Sequence, residues 1–211
     1  MNLANKLTFL RIILAPVFFV VYLSPRFFSS WFEQTEFDKT GLEQTGFEWT
    51  IPVLWVIFII SEITDYLDGL AARKLNQTSD FGKLFDPFAD TLVQLTCFLC
   101  FVIDGLFPVI LFLLVIYREF SILFIRNLML KKGTTLGASI WGKVKTVVYI
   151  IAVGAALLAV SIERLGVYES LLPYFKKAAL IIFVISVGFA AISFIDYLMI
   201  YHKTESKQND Q

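Results

Sequence analysis

One stretch, DYLDGLAARKLNQTSDFGKLFDPFAD, runs from Asp65 to Asp90, and four of its five aspartates, Asp65, Asp68, Asp86 and Asp90, fall in two close pairs. Asp65 and Asp68 are three residues apart and Asp86 and Asp90 four, so on helices each pair lies on one face about one turn apart. The first pair closes an apolar run, IPVLWVIFIISEIT, and the second opens another, TLVQLTCFLCFVI. Two helices joined by so short a loop are antiparallel neighbours, with both pairs near the same end. Four converging carboxylates cannot all stay ionised without a counter-charge. Hard divalent cations supply it, and Mg²⁺ or Mn²⁺ suits an all-oxygen set better than a metal that seeks thiol or imidazole. Two such ions ~3.5–4 Å apart make a phosphoryl-transfer centre. The residues between the acids agree with that chemistry. Gly69 and Ala72 are small enough for close approach of a ligand or a helix. Arg73, one turn beyond Gly69, can pair bidentately with a phosphate. The loop KLNQTSDFG adds the hydroxyls of Thr78 and Ser79 and a permissive Gly82. A diphosphate bridged by the ions and held by Arg73 fits the pattern.

The solvent around these acids follows from composition. The 211 residues are 57% hydrophobic and include 22 Phe, against ~45–50% apolar residues in an ordinary soluble domain. Six apolar spans, roughly 8–24, 50–71, 85–103, 107–129, 143–161 and 178–201, approach or exceed the ~20 residues that cross a bilayer as a helix. They are too long and too uniformly apolar for alternating barrel strands. The expected fold is therefore an all-α integral membrane protein with six transmembrane helices. It forms a single membrane domain over 1–203, with an external loop at 25–49 and a polar, disordered tail at 204–211. The first span has no small-x-small cleavage site before Ser24-Pro25, so it reads as a membrane helix and not as a signal peptide.

With six spans both termini share one side. That side collects Lys6, Arg11, Arg73, Lys74, Lys83, Arg126, Lys131, Lys132, Lys143, Lys145, Lys203 and Lys207; the other has Arg26, Lys39, Arg164, Lys176 and Lys177. Twelve against five places the termini, the 72–84 loop and the four aspartates on the cytoplasmic side of the cell membrane. Net charge is zero, so nothing draws the chain to nucleic acid.

Membrane carboxylates also line cation and proton pathways, so a transporter is the competing reading. Transport sites lie near the bilayer midplane between broken helices. These acids lie at the rim beside a polar, basic loop, which favours a reaction on a lipid headgroup. Cys97 and Cys100 form a CxxC inside an apolar span and read as packing residues. The lone histidine, His202, leaves no His-based triad or His-rich metal site.

The aspartate stretch reads as D-x-x-D-G-x-x-A-R-x8-G-x3-D-x3-D, and in that pattern the chain resembles the CDP-alcohol phosphotransferase family. The resemblance implies a six-helix membrane enzyme, usually a homodimer, in which a hydroxyl acceptor displaces CMP from a CDP-linked lipid or alcohol. By position it implies that Asp65, Asp68, Asp86 and Asp90 ligate two Mg²⁺ or Mn²⁺ ions and that Asp90 also acts as base toward the acceptor hydroxyl. Gly69, Arg73 and Ser79 match its nucleotide-diphosphate contacts, Ser79 standing where many members have Thr.

The flanks NLANKLTFLRIILAPVFF, YREFSILFIRNLMLKKG and ASIWGKVKT resemble one branch of the family. That branch transfers the phosphatidyl group of CDP-diacylglycerol to the sn-1 hydroxyl of glycerol 3-phosphate, and in it Asn5, Thr8 and Arg11 would lie near the nucleotide. The chain departs from it at Thr91, where relatives often have Lys, and at Tyr149, where they often have Gln.

A phosphorylated acceptor also agrees with the residues themselves. Arg118 lies within a span, and Arg126 is eight residues on, within ~80° on a helix of 3.6 residues per turn. Lys143 and Lys145 open the next span. Glu119 is expected to be a poor partner for Arg118, because adjacent helical residues point apart. Arg118, Arg126 and Lys143 are the candidates to cage the acceptor's phosphate. The competing reading is that the lysines only set topology and bind anionic headgroups. Other acceptors remain open at this stage: phosphatidylglycerol, serine or an inositol phosphate.

Overall fold

Apolar runs of membrane length leave the backbone little choice but to bond within itself, and the described residues do so as helices. The computed structural model describes the backbone of residues 3–34, 48–75, 80–131 and 139–209, and side chains over 5–27, 48–67, 85–129, 131 and 139–203. Among the described residues the chain is all-helical: α1 (Leu3–Gln34), α2 (Thr50–Leu75), α3 (Asp80–Ile103), α4 (Val109–Lys131), α5 (Ile140–Leu165) and α6 (Leu172–Asn209), with one 3₁₀ turn at Glu169–Leu171. Five segments are long and apolar enough to cross a bilayer: Asn5–Phe27, Thr50–Leu67, Phe85–Ile103, Ile140–Leu165 and Glu169–Lys203. The chain is a multi-pass membrane protein on that evidence. α4 has 23 residues, about 35 Å at 1.5 Å per residue, but Arg118, Glu119 and Arg126 interrupt its apolar sequence.

Several helices run longer than their apolar cores suggest. α1 continues through Pro25 to Gln34, ten residues into the segment expected to be an external loop. Pro25 has no N–H for the carbonyl of Val21, and the Ser24 hydroxyl bonds that carbonyl instead, at 2.8 Å. α2 and α3 extend into the expected 72–84 loop, so Asp65, Asp68, Asp86 and Asp90 all stand on helical backbone. α6 runs to Asn209, into the tail expected to be disordered. Propagating an existing helix needs only one bond per residue added, and nothing from Thr204 to Asn209 is a Pro or Gly.

The chain forms two compact units, Met1–Cys100 with Leu157–Pro173, and Phe101–Ala156 with Tyr174–Gln211. In the first, α1 packs on α2. The buried stripe of α1 is Thr8, Arg11, Ala15, Phe18 and Tyr22; that of α2 is Ile51, Leu54, Phe58 and Ser61; that of α3 is Ala89, Val93, Cys97 and Cys100. Each repeats every three or four residues, as one face of a helix does. The C-terminal part of α5 is pinned to the same unit. Trp55 Nε1 donates to Ser161 Oγ at 3.0 Å, and Arg164 lies over the Tyr22 ring at 4.5 Å while donating to the Tyr22 carbonyl at 2.9 Å.

In the second unit the Phe107 and Phe183 rings stack with centroids 4.0 Å apart. α3 ends in a left-handed glycine cap: Gly105 has φ 72°, its N–H bonds the Val102 carbonyl, and the Leu106 N–H bonds that of Phe101. α5 approaches α6 closely at Gly142, where a Cβ would stand 3.4 Å from the Tyr197 ring.

Candidate active site

The buried stripes of α1, α2 and α3 turn polar within the first unit, and their polar residues meet. On α1 the stripe begins with Thr8 and Arg11; on α2 it leads from Phe58 through Ser61 to Asp65; on α3 it begins with Asp86, Ala89 and Asp90. Arg11 Nη1 donates to Asp65 Oδ1 at 2.6 Å and also to Asp90 Oδ1. The Thr8 hydroxyl donates to Asp86 Oδ1. One guanidinium nitrogen thus joins an acid of α2 to an acid of α3. The Arg11 side chain is 2% exposed, whereas those of Asp65 and Asp90 are 41% and 36% exposed. The cation lies beneath, and the carboxylates keep an open side. Thr64, one residue before Asp65, spends its hydroxyl on the Ile60 and Ser61 carbonyls of its own helix.

Three of the four aspartates are therefore brought together. Asp68, Gly69 and Arg73 stand on the α2 backbone, but their side chains lie outside the described residues, as does Ser79 altogether. Asn5 is half-buried in the first turn of α1. Sequence reasoning passed over Glu62, a half-buried acid three residues before Asp65; that spacing was the available signal.

The second unit holds a buried polar cluster of its own. Arg118 Nη1 donates to both carboxylate oxygens of Glu119, at 2.9 and 2.8 Å. Its Nη2 donates to Ser193 Oγ at 2.7 Å, and its Nε to the Ala190 carbonyl at 3.3 Å. Lys145 Nζ donates to Glu119 Oε1 at 2.9 Å and lies 4.4 Å above the Tyr149 ring. The expectation that Glu119 is a poor partner for Arg118 is corrected. Adjacent positions do diverge by about 100°, but both side chains are long and buried, and Lys145 and Ser193 draw them to one side.

Arg126 donates to the Tyr197 hydroxyl. Lys143 stays exposed, and Lys145, two residues on, takes the inward position. Ser139, at the N-terminus of α5, accepts the Gly142 N–H at 3.4 Å and donates to Asp196. Asp196 thus ties α6 to the start of α5.

Among the described residues no three His, Cys, Asp or Glu side chains are closed into a metal cage, and the Asp68 side chain is not among them. The donor chemistry nevertheless fits Mg²⁺ or Mn²⁺. The donors are oxygens, Asp65 and Asp90 already converge on one positive charge, and both have exposed carboxylate surface through which an ion could approach.

The profile of the CDP-alcohol phosphatidyltransferase family matches residues 1–195. A protein from Treponema pallidum named CDP-diacylglycerol–glycerol-3-phosphate 3-phosphatidyltransferase is 34% identical over 203 residues, covering 94% of this chain and 88% of its own. A Bacillus subtilis protein of the same name is 38% identical over 161 residues, 74% and 77% of the two chains. A probable phosphatidylglycerophosphate synthase from Mycobacterium tuberculosis is 31% identical over 160 residues, 76% and 68%.

Proposed function

Because the chain belongs to the CDP-alcohol phosphatidyltransferase family, we propose that it transfers the phosphatidyl group of CDP-diacylglycerol to the sn-1 hydroxyl of glycerol 3-phosphate, giving phosphatidylglycerophosphate and CMP. The observation that carries this reading is the meeting of Asp65, Asp86 and Asp90 with Arg11 and Thr8 on three helices, in a chain whose relatives bear the name of that reaction over most of its length.

Asp65, Asp68, Asp86 and Asp90 would hold two Mg²⁺ or Mn²⁺ ions. When bound, such ions neutralise charge on the transferring phosphoryl group and on departing CMP. Arg73, Gly69, Ser79, Asn5 and Thr8 are assigned to the CDP moiety: Arg73 for bidentate pairing with the diphosphate, Gly69 for close backbone approach, Ser79 as a hydroxyl donor. Asp90, which accepts from Arg11, is assigned to take the proton from the acceptor hydroxyl. Arg118, Arg126 and Lys143 are assigned to the acceptor's phosphate. Of these, Arg118 is engaged with Glu119 and Ser193 and Arg126 with Tyr197, so the exposed Lys143 is assigned the first contact.

The reading also includes six membrane spans, α4 among them, with both termini and the aspartates facing the cytoplasm, in the cell membrane as a homodimer. The Lys and Arg distribution supports that orientation. The test is CMP release by purified protein in detergent with CDP-diacylglycerol and Mg²⁺ or Mn²⁺, each acceptor supplied alone. Release with glycerol 3-phosphate only is the expected result. Release with phosphatidylglycerol, serine or an inositol phosphate instead would keep the metal centre and discard this acceptor. No release with any acceptor, together with cation flux in sealed vesicles, would replace the enzyme with a transporter.

A further inference from the structure

Arg11 donates through one nitrogen to the same two carboxylates, Asp65 and Asp90, that the proposed function gives to divalent ions. Its guanidinium is buried and theirs are the open groups, so it does not face solvent as an ordinary rim arginine would. Two opposite effects on ion binding follow. A buried partner that orients a ligand strengthens metal binding roughly 10–100-fold. A fixed positive charge bonded to that ligand repels a divalent ion a few ångströms away, and in a partly buried site this repulsion outweighs the orienting gain. The net effect is competition.

We propose that Arg11 is the protein's own counter-ion for the aspartate cluster, holding Asp65 and Asp90 together and competing with divalent ions for them until a nucleotide diphosphate draws the guanidinium away. This rests on the metal reading of the aspartates. A diphosphate suits the exchange, because it pairs bidentately with a guanidinium and brings negative charge that the ions need. Ion and nucleotide then bind cooperatively, and by linkage each raises the other's affinity by the same factor. Arg11 is a positioning residue in this scheme.

Mn²⁺ binding to the full-length protein in detergent tests it, with free Mn²⁺ measured by electron paramagnetic resonance. The proteins are wild type, Arg11→Gln and Arg11→Lys, each with and without CDP. Without nucleotide, Arg11→Gln is expected to bind Mn²⁺ at least tenfold more tightly than wild type, a direction that mere structural damage would not produce. CDP is expected to tighten Mn²⁺ binding at least tenfold in wild type and clearly less in Arg11→Gln. Arg11→Lys keeps the charge but on a shorter, more strongly hydrated and less rigid group that holds the two carboxylates less firmly, so it falls between them. Unchanged or weaker Mn²⁺ binding in folded Arg11→Gln overturns the proposal. If that variant does not fold, unchanged or weaker binding in Arg11→Lys overturns it. Failure of both wild type and variants to bind Mn²⁺ even with CDP would instead remove the metal reading of the aspartates, and this proposal with it.

Discussion

Asp65 and Asp90 accept from one guanidinium nitrogen, yet the proposed chemistry gives them different work. Asp65 serves only as a ligand, whereas Asp90 also takes a proton. Asp90→Asn keeps one carbonyl oxygen for an ion but removes the base, and a positioned general base is worth about 10²–10⁴-fold in rate. Turnover should fall by that order while CDP-diacylglycerol binding changes little. Asp65→Asn should lose lipid binding as well as turnover. Titrating both variants with CDP-diacylglycerol in the presence of Mn²⁺ checks the division, and equal loss of binding would contradict it. The four-aspartate pattern was plain in the sequence because it is local. Its arginine was legible only as a neighbour of the nucleotide through the family resemblance; its pairing with the acids was not, since Arg11 is 54 residues from Asp65 and 79 from Asp90.

At the scale of elements, α4, α5 and α6 are joined by one carboxylate. Glu119 of α4 accepts from Arg118 of its own helix and Lys145 of α5, and Arg118 bonds Ser193 of α6. Removing one partner from a buried ion cluster leaves uncompensated charge, at a cost of about 3–5 kcal/mol. Glu119→Leu should therefore lower the thermal transition of the detergent-solubilised protein sharply. Glu119→Gln combined with Lys145→Met removes one charge of each sign and should recover at least half of that loss. If the double variant is as unstable as Glu119→Leu, the cluster is held by packing and not by charge. The sequence showed the charges on α4 and α5 but not which lysine turns inward. Lys143 and Lys145 are two apart, so one faces in when the other faces out, and the packing of α5 selects Lys145.

For the whole molecule, the twelve-against-five split of Lys and Arg predicts that both termini share the cytoplasmic side. Cys97 and Cys100 are buried, so an added surface cysteine can be read against a low background. In intact cells a membrane-impermeant maleimide should label Asp38→Cys and spare Lys207→Cys until the membrane is opened. The opposite labelling would invert the topology, and labelling of both positions in intact cells would change the number of spans. The helical class and membrane residence were legible from run length alone, because lipid leaves the backbone no alternative to bonding within itself. Helix ends were not. The first span was expected to end at residue 24, but α1 carries on through Pro25, and Ser24 bonds the carbonyl that Pro25 strands; the polar end of α6 looked like a tail, and the helix carries into it.

Composition and spacing by themselves determined an all-helical membrane chain, placed Asp65 with Asp68 and Asp86 with Asp90 on single helix faces, and raised the expectation of oxygen-ligand chemistry at a lipid surface. These are properties of short stretches, fixed by 3.6 residues per turn and by the length needed to cross a bilayer. Tertiary structure alone decided that Arg11 joins Asp65 to Asp90, that Thr8 takes Asp86, that Glu119 gathers Arg118 and Lys145, and that Ser139 meets Asp196. Apart from Arg118 and Glu119, which are neighbours in sequence, these partners lie 26 to 79 residues apart. No periodicity reaches that far; which charge meets which depends on how the helices rotate and slide as their apolar stripes pack.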